Sequence, residues 1–216
     1  MVETTRQQQT KKSVVREYVE AIVIALILAL FIRTFIVQAF KIPSGSMEPT
    51  LLIGDHLLVN KFIYGIKNPF TGETWVPIEK PQPRDIIVFK YPVNPDQDFI
   101  KRVIGVEGDT VEMVDKKLLV NGKPFIVPSA VYRDSNILPG DRQPRDNFGP
   151  ITVPKDSLFV MGDNRDNSYD SRFWKFVTLS SVKGKAFILY WSWDSEWSWD
   201  SGKFPVRVSR LFNLIH

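Results

Sequence analysis

Two serines separated by one glycine, Ser44 and Ser46, lie in the segment PSGSMEP at residues 43–49. The two prolines and the glycine of this segment restrict its backbone, so a side chain here can be held in one direction. A serine hydroxyl becomes a nucleophile only when a base takes its proton. The segment therefore predicts an oriented nucleophile whose base must come from another part of the chain.

Histidine is the usual base beside a serine, and the chain contains only two, His56 and His216. His56 stands at the start of a strand-like run of apolar residues. A general base needs hydrogen-bond reach and an orienting partner, and this pattern indicates neither. We therefore interpret His56 as an ordinary strand residue.

A lysine can act as a base when burial keeps it neutral, because desolvation lowers its pKa. The segment DFIKRVIGV at residues 98–106 contains Lys101, and strand periodicity places it on one face with Phe99 and Val103. Arg102 lies on the other face, and arginine keeps its proton in proteins. Lys101 is therefore the candidate base of this segment. The alternative is that Lys101 is solvated at a strand edge, since most lysines are exposed.

A third polar segment, MGDNRDNSYDSR, covers residues 161–172. A calcium loop that starts at Asp163 would need an oxygen ligand where Arg165 stands and a glycine where Ser168 stands, so this interpretation is rejected. The segment is typical of a tight loop whose side chains bond its own backbone, a role compatible with catalysis. A charge-assisted pair between Asp170 and Arg172 would brace such a loop.

An apolar run precedes the two serines. Residues 21–32 are twelve consecutive apolar residues, and the apolar character resumes after Arg33 and continues to residue 40. A helix needs about 20 mostly apolar residues to cross a bilayer core. The sequence therefore predicts a single transmembrane helix over residues 18–40. A cleaved secretory signal is the alternative, but the continuation beyond Arg33 favours an uncleaved anchor.

The charge on either side of this run predicts its orientation. Cationic residues prefer the cytoplasmic side of a membrane, and they are more frequent before the run than after it. We therefore expect residues 1–17 in the cytoplasm and residues 41–216 as an exported domain. The basic residues ahead of the run are Arg6, Lys11, Lys12 and Arg16.

Composition excludes several other functions. The formal net charge of +4 comes from scattered Lys and Arg residues without a dense basic run, so nucleic-acid binding has no support. The chain contains no cysteine, which excludes disulfides, a thiol nucleophile and cysteine-type zinc sites.

Beyond residue 41 the sequence predicts an all-β domain of many short strands, barrel-like or sandwich-like. Short runs of branched and aromatic residues alternate with turn signals, and no long helical period occurs. Hairpin turns are expected at residues 115–117 and 121–122, and an exposed loop at residues 133–150. The strand-like runs are HLLVNKFIYG, DIIVFKYP, FIKRVIGV, TVEMV, KLLVNGKPFIV, SLFVMGDN, AFILYWSW and FPVRVSRLF.

Three segments, PSGSMEPTLLIGD, FIKRVIGVEGDTV and GDNRDNSYDSRFW, occur in this order and closely resemble the signature regions of bacterial type I signal peptidases. The resemblance extends from about residue 17 to the end of the chain. It implies a membrane-anchored serine endopeptidase with an all-β catalytic domain, a Ser–Lys dyad and no metal or cofactor. Its partners would be secretory preproteins and membrane lipid. The domain would lie on the outer face of the bacterial cell (inner) membrane; some members have two membrane spans, and this chain shows one.

The resemblance also implies a role for each matching residue. Ser46 would be the nucleophile and Lys101 its general base, with Ser168 bonded to the lysine. The Ser46 backbone N–H and the Ser44 hydroxyl would form the oxyanion hole. The other residues implied are Phe40, Ile42, Met47 and Ile100 at the substrate pockets and Gly162, Asp163, Asp170 and Arg172 in the loop beside the lysine.

Strand geometry then predicts the cleavage preference. A substrate bound as an added strand directs its first and third side chains before the cut to the same side. Pockets lined by Ile42 and Ile100 would be shallow, because these side chains are branched and stiff. Small residues are therefore expected at those two positions, as in the A-x-A sites of secretory signals.

Two rival functions remain open from the sequence. A self-cleaving repressor-type protease would share the dyad, but it would need a DNA-binding helical domain where the apolar run lies. A non-catalytic membrane-anchored β-domain would bind lipid or partner proteins. The segment LYWSWDSEWSWD at residues 189–200 holds four of the six tryptophans and would suit either interfacial binding or β-core packing.

Overall fold

The computed structural model describes residues 14–68, 74–194, 197 and 204–216. The helices are α1 (Val14–Phe31), which continues into a π-helical turn (Ile32–Ile36), and α2 (Ser171–Trp174). Short 3-10 helical turns cover Gly45–Met47, Arg165–Asn167, Leu179–Ser181 and Val208–Arg210. The strands are β1 (Val37–Lys41), β2 (Asp55–Asn60), β3 (Ile66–Lys67), β4 (Thr74–Val76), β5 (Ile86–Lys90), β6 (Asp98–Val106), β7 (Thr110–Val114), β8 (Lys117–Val120), β9 (Lys123–Pro124), β10 (Phe148–Thr152), β11 (Ser157–Met161), β12 (Val177–Thr178) and β13 (Val182–Ser192).

Most of the strands belong to one antiparallel sheet of seven strands, in the order β1, β2, β13, β5, β6, β11, β12. A second antiparallel sheet has the order β10, β7, β8, β9, and β3 pairs with β4 in a separate ribbon. The edges of the large sheet are therefore β1 and β12. This architecture confirms the prediction of an all-β domain of short strands.

The core covers both faces of the large sheet. In β5, Ile86 and Val88 pack in one apolar cluster, whereas Ile87 and Phe89 pack in another. Successive side chains of a strand point to opposite faces, so the two clusters lie on opposite sides of β5. This explains why β5 has an almost continuous apolar sequence rather than an alternating one.

The second sheet packs against the large sheet through a third apolar cluster. Ile104 of β6 and Phe159 of β11 meet Val111 and Met113 of β7 in this cluster. The two sheets therefore share an apolar core.

Both hairpin predictions are confirmed. Asp115 and Lys116 connect β7 to β8, and both have positive φ angles, 49° and 65°. Asn121 and Gly122 connect β8 to β9 with φ angles of 53° and 71°. Positive φ at both central residues is the geometry of a type I′ turn, which matches the twist of the flanking strands.

The N-terminal apolar region differs from the single helix predicted over residues 18–40. Helix α1 ends at Phe31, and residues 37–41 form β1, which pairs with β2 from Val37↔Asn60 to Lys41↔His56. Residues 37–41 find their backbone hydrogen-bond partners in the neighbouring strand β2, so they extend the sheet instead of the helix. Among the described helices, none combines the length and the apolar character of a membrane span. Arg6, Lys11 and Lys12, on which the predicted orientation rests, lie outside the described residues.

Two other regions differ from the strand and loop predictions. The run FPVRVSRLF is not a regular strand, because a 3-10 turn at Val208–Arg210 interrupts it. Its backbone pairing is limited to an isolated bridge between Val206 and Trp193 and to single hydrogen bonds, such as that from the Phe212 N–H to the Leu189 carbonyl at 2.7 Å. The predicted exposed loop at residues 133–150 is partly ordered: Asp146 is buried and bonded to Arg145. The last residues of this loop already belong to β10.

The tryptophan-rich segment follows β13 and is only partly described. Trp191 and Trp193 are both partly exposed, at 40% and 43%. Residues 195–196 and 198–200 of this segment lie outside the described residues.

The C-terminal segment is tied to the loop that precedes β2. The fully buried Asp55 accepts hydrogen bonds from Arg210 Nη2 at 2.6 Å, from Ser192 Oγ at 2.6 Å and from the Leu52 backbone N–H at 2.8 Å. Arg210 also donates to the Thr50 carbonyl at 2.9 Å. These charge-assisted bonds explain why this segment turns towards residues 50–55 instead of continuing as a strand.

We predict that Asp55→Ala destabilises the folded state by about 3 kcal/mol, because removing one partner of a buried ion pair leaves the other charge uncompensated. The measurement is urea unfolding of the full chain followed by tryptophan fluorescence. Asp96→Ala is the matched control at an exposed position, and its free energy of unfolding should change by less than about 0.5 kcal/mol. Equal effects of the two substitutions would contradict the importance of the Asp55 contacts.

Candidate active site

The structure brings Ser46 and Lys101 into direct contact. Ser46 lies in the 3-10 turn between β1 and β2, and Lys101 lies on β6, between β5 and β11. Lys101 Nζ donates to Ser46 Oγ at 2.7 Å and to the Ile100 carbonyl at 3.1 Å. Lys101 is only 4% exposed, so the alternative of a solvated lysine at a strand edge is wrong.

The environment of Lys101 favours its neutral form. Burial lowers the pKa of Lys101 to about 8; the Asp170 charge opposes this shift and the Arg172 charge reinforces it. On the same face of β6, the Phe99 ring centre lies 5.4 Å from Lys101 Nζ. The predicted placement of these two residues on one face is therefore confirmed.

The loop after β11 holds the backbone of the serine segment. The Asn164 backbone N–H donates to the Ser46 carbonyl at 3.1 Å, and Asn164 Nδ2 donates to the Gly45 carbonyl at 3.1 Å. Sequence reasoning did not select Asn164. Its only sequence signal is its position in the polar segment 161–172, which does not distinguish it from its neighbours.

Asp163 forms a buried ion pair with Arg102. Arg102 donates to Asp163 through Nε at 2.8 Å and through Nη2 at 2.7 Å, and Ser129 Oγ donates to Asp163 at 3.0 Å. Burial alone would raise the pKa of Asp163, but the Arg102 bonds hold it below its usual value. The sequence predicted that Arg102 lies on the face of β6 opposite to Lys101, but it did not indicate that Asp163 is the partner of Arg102.

Asp170 and Arg172 form the second buried pair, as the sequence analysis expected. Arg172 Nε and Nη2 each donate to Asp170 at 2.8 Å, and the Gly162 backbone N–H donates to Asp170 at 3.0 Å. Burial opposes ionisation of Asp170, but the Arg172 charge keeps its pKa below the usual value. Because Asp170 caps α2, this pair also fixes the start of that short helix.

Gly162 lies where two other predicted site residues converge. A Cβ atom at this position would collide with the Ser46 carbonyl oxygen and with the Ser168 hydroxyl. The absence of a side chain thus allows the loop backbone to approach both serines.

Ser168 is close to this centre, but the expected bond to Lys101 is not formed. Its hydroxyl is buried and makes no hydrogen bond of regular geometry among the described residues, but it lies close enough to the Asp170 carboxylate to help lower the pKa of that group. Ser44 is exposed and has an extended backbone, with φ −138° and ψ 155°.

The four residues expected at substrate pockets belong to one apolar cluster. Ile42 and Met47 are fully buried members of it, whereas Phe40 and Ile100 are partly buried and pack against it. The two partly exposed side chains can therefore contact a bound peptide directly. Ile42 and Met47 lie beneath the surface and support the cluster from inside.

His56 has a different environment. Its ring packs edge-on against Tyr190 with the ring centres 5.9 Å apart, and its Nδ1 lies 3.5 Å from the Tyr190 hydroxyl.

As for metals, the described part of the chain contains no group of three or more His, Cys, Asp or Glu side chains that could hold an ion.

An all-β domain in which a serine hydroxyl contacts a buried lysine of lowered pKa has the layout of a serine hydrolase with a lysine base. Residues 15–191 match the family described as "Signal peptidase, peptidase S26". The chain belongs to this family of serine peptidases.

Curated relatives agree with this assignment. The chain is 36% identical over 217 residues to signal peptidase I of Pseudomonas aeruginosa, covering 87% of this chain and 76% of the relative. It is 37% identical over 228 residues to that of Aquifex aeolicus, with coverages of 82% and 84%. It is 41% identical over 172 residues to a probable signal peptidase I-2 of Synechocystis, with coverages of 80% and 71%. A crystal structure of a signal peptidase I from Enterococcus faecalis is 36% identical, with a TM-score of 0.41, and covers 50% of this chain and 97% of that one.

We predict that peptidase activity rises with pH as Lys101 loses its proton. Only the neutral amine can accept the Ser46 proton, and burial lowers the pKa of Lys101 to about 8. On the acid side kcat/KM should increase about tenfold per pH unit and level off above pH 8. The measurement is kcat/KM of a peptide substrate against pH. Lys101→Arg should be inactive throughout, since arginine stays protonated, and near-normal activity of this variant would overturn the assignment.

Proposed function

We propose that this chain is a membrane-anchored serine endopeptidase that removes N-terminal signal peptides from exported preproteins. The observation that carries the proposal is the 2.7 Å contact between Lys101 Nζ and Ser46 Oγ, in a chain of the signal peptidase family. The lowered pKa of Lys101 supports a base role, and the names of the relatives support the substrate class.

The reaction would proceed through an acyl-enzyme. Ser46 attacks the scissile carbonyl while neutral Lys101 takes the hydroxyl proton. The Ser46 N–H and the Ser44 hydroxyl stabilise the oxyanion, which is commonly the largest single electrostatic contribution. Lys101 then protonates the leaving amine and activates the water that releases the acyl group. None of these steps requires a metal or a cofactor.

Ser168 would orient the lysine during this cycle. Its buried hydroxyl interacts with the Asp170 carboxylate, whose pKa it helps to lower, and its oxygen can accept from Lys101 at the same time. The close approach of Gly162 to both Ser46 and Ser168 supports their common role.

Each of the two carboxylates near Lys101 is paired with an arginine, which helps the Lys101 amine to stay neutral and to act as a base. Asp163 and Asp170 would each favour the charged lysine if they stood alone. Their pairing with Arg102 and Arg172 places a positive charge beside each carboxylate. We infer that these pairs support the site by limiting the rise in the Lys101 pKa.

The substrate would bind as an added strand beside the serine. Strand β1 is an edge of the large sheet and ends five residues before Ser46. An extended peptide beside this segment would place its small side chains against Phe40 and Ile100. Ile42 and Met47 would limit the depth of these pockets from below.

The N-terminal region would anchor the enzyme in the cell (inner) membrane. None of the residues of α1 is buried against the domain, although most of them are apolar. We propose that residues 18–36 contact the lipid bilayer, with residues 1–17 in the cytoplasm and the domain that begins with β1 on the outer face. The direct connection through β1 would keep Ser46 close to the membrane, where a signal peptide presents its cleavage site.

We predict that Ser46 and Lys101 act as one catalytic unit. Ser46→Ala and Lys101→Met should each lower cleavage of a model preprotein by at least about 1,000-fold, and the double variant should lose little more, because coupled catalytic residues are strongly non-additive. His56→Ala is the control and should remain active. Inactivity of His56→Ala equal to that of Ser46→Ala would refute the dyad. Full biological function of Ser46→Ala would instead favour a non-catalytic binding domain.

We predict that cleavage requires small residues at the first and third positions before the cut and tolerates a larger one between them. Phe at the first position should reduce kcat/KM by about a hundredfold, because an overfilled pocket displaces the scissile carbonyl. The test is a precursor series varied at one position at a time. Ile100→Ala should relax the restriction, and Ile126→Ala, at an exposed position, should not. Equal sensitivity at the second position would rule out the added-strand geometry.

We predict that the mature protein stays in the membrane with its N-terminus inside. The natural chain contains no cysteine, so single cysteines can report the topology without background. The cells are first freed of any cell wall or outer membrane. A membrane-impermeant maleimide added to these intact cells should label Lys123→Cys. It should label Gln8→Cys only after the cells are lysed. A soluble protein whose N-terminal sequence begins at Phe40 would show that the segment is a cleaved signal.

A further inference from the structure

The peptide unit between Gly45 and Ser46 is held from its carbonyl side. The Gly45 carbonyl accepts a hydrogen bond from Asn164 Nδ2 at 3.1 Å and another from the Glu48 backbone N–H at 3.2 Å. The Ser46 carbonyl accepts from the Asn164 backbone N–H at 3.1 Å. One residue of the loop after β11 therefore fixes two consecutive carbonyl groups of the serine segment.

The orientation of this peptide unit determines where the Ser46 N–H points. The Gly45–Ser46 bond is trans, so its C=O and N–H point in opposite directions. Because Asn164 binds the C=O, the N–H of the same unit is directed away from Asn164. Hydrogen bonds to a peptide carbonyl also polarise the unit, which makes its N–H a stronger donor.

Asn164 is itself fixed in place. It is 1% exposed, its carbonyl accepts from the Asn167 backbone N–H at 3.1 Å, and it forms a bridge with Val131. Only the NH₂ side of its amide can donate to the Gly45 carbonyl, which leaves Oδ1 facing the other way. Among the described residues, this buried Oδ1 has no hydrogen-bond partner. Burying an unsatisfied amide oxygen is unfavourable, so the side chain is better explained by what its NH₂ group holds than by its contribution to stability.

We propose that Asn164 is a positioning residue for the oxyanion hole. It aligns the Gly45–Ser46 peptide so that the Ser46 N–H meets the oxyanion that forms when Ser46 attacks. The proposal rests on the proposed function, since it concerns the same reaction. Asn164 acts through the peptide unit and has no contact with the departing amine or with Lys101 in this role.

This role predicts a specific kinetic effect. An oxyanion donor acts mainly in the transition state, and removal of such a donor costs about 10²–10³ in kcat. A donor that is misaligned rather than removed should lose less, so we expect kcat of Asn164→Ala to fall about 10- to 100-fold. KM should change by less than about threefold, because ground-state binding is not affected. The acid limb of the pH profile should stay in place, because the protonation of Lys101 is unchanged.

The experiment uses the full chain in detergent micelles and a purified model preprotein. Asn164→Ala removes the amide, and Asn164→Asp keeps its shape but replaces the donor with a group that is an acceptor at the assay pH. Asn167→Ala is the matched control, an exposed asparagine in the same turn, and should retain normal kcat. Thermal unfolding of each variant is measured in parallel, and Asn164→Asp serves as the test if Asn164→Ala does not fold.

Loss of kcat in both Asn164 variants, with KM unchanged and with the acid limb of Asn164→Ala in its natural place, would support the proposal. It would be overturned if a folded Asn164 variant kept kcat within threefold of the natural protein. It would also be overturned if the loss lay in KM, or if the acid limb of Asn164→Ala moved. Failure of the natural protein itself to cleave the preprotein would refute the proposed function and is distinguishable from all of these results.

Discussion

The site depends on the burial of one amine. An ammonium group is disfavoured away from water, so the position of Lys101 must be enforced by the packing around it. β6 lies between β5 and β11, and its residues are buried along most of its length. The same burial that disfavours the charge lowers the pKa of Lys101 to about 8, while the amine stays within 2.7 Å of Ser46 Oγ. Rigid strands on both sides are what make this arrangement possible in a chain that offers no suitable histidine.

Two carboxylates close to this amine would counteract the effect of burial. Asp163 and Asp170 are both buried, and each favours the charged form of the lysine. Each is bonded at two points to an arginine, Arg102 or Arg172, so the carboxylates remain ionised without leaving an uncompensated charge. Buried pairs of this kind contribute little net stability, because desolvation offsets much of their attraction. Here the two pairs order the loop that faces Ser46, and they limit the rise in the Lys101 pKa that the carboxylates would otherwise cause.

The serine segment is held by backbone contacts from two directions. On one side the loop after β11 binds the carbonyls of Gly45 and Ser46 through Asn164. On the other side Arg210 joins the C-terminal segment to the loop that follows the serine. Catalytic groups must be held within about half an ångström of the productive geometry, and these hydrogen bonds add to side-chain packing in holding the serine segment.

The sequence by itself determined the local features of this protein. The branched and aromatic residues at 98–106 and the turn residues at 121–122 predict strand β6 and the β8–β9 hairpin correctly, because strand propensity and left-handed turn conformations depend on the residues themselves and their immediate neighbours. Side-chain chemistry was also enough to select Lys101 and the pair Ser44 and Ser46 as candidates, and the resemblance to signal peptidases distinguished Ser46 from Ser44. Only the tertiary structure decided that Lys101 is buried and that these two residues, 55 positions apart, are in contact. It also decided that residues 37–41 join the sheet rather than the helix, because the paired backbone of β2 lies beside them and no local pattern encodes that neighbour.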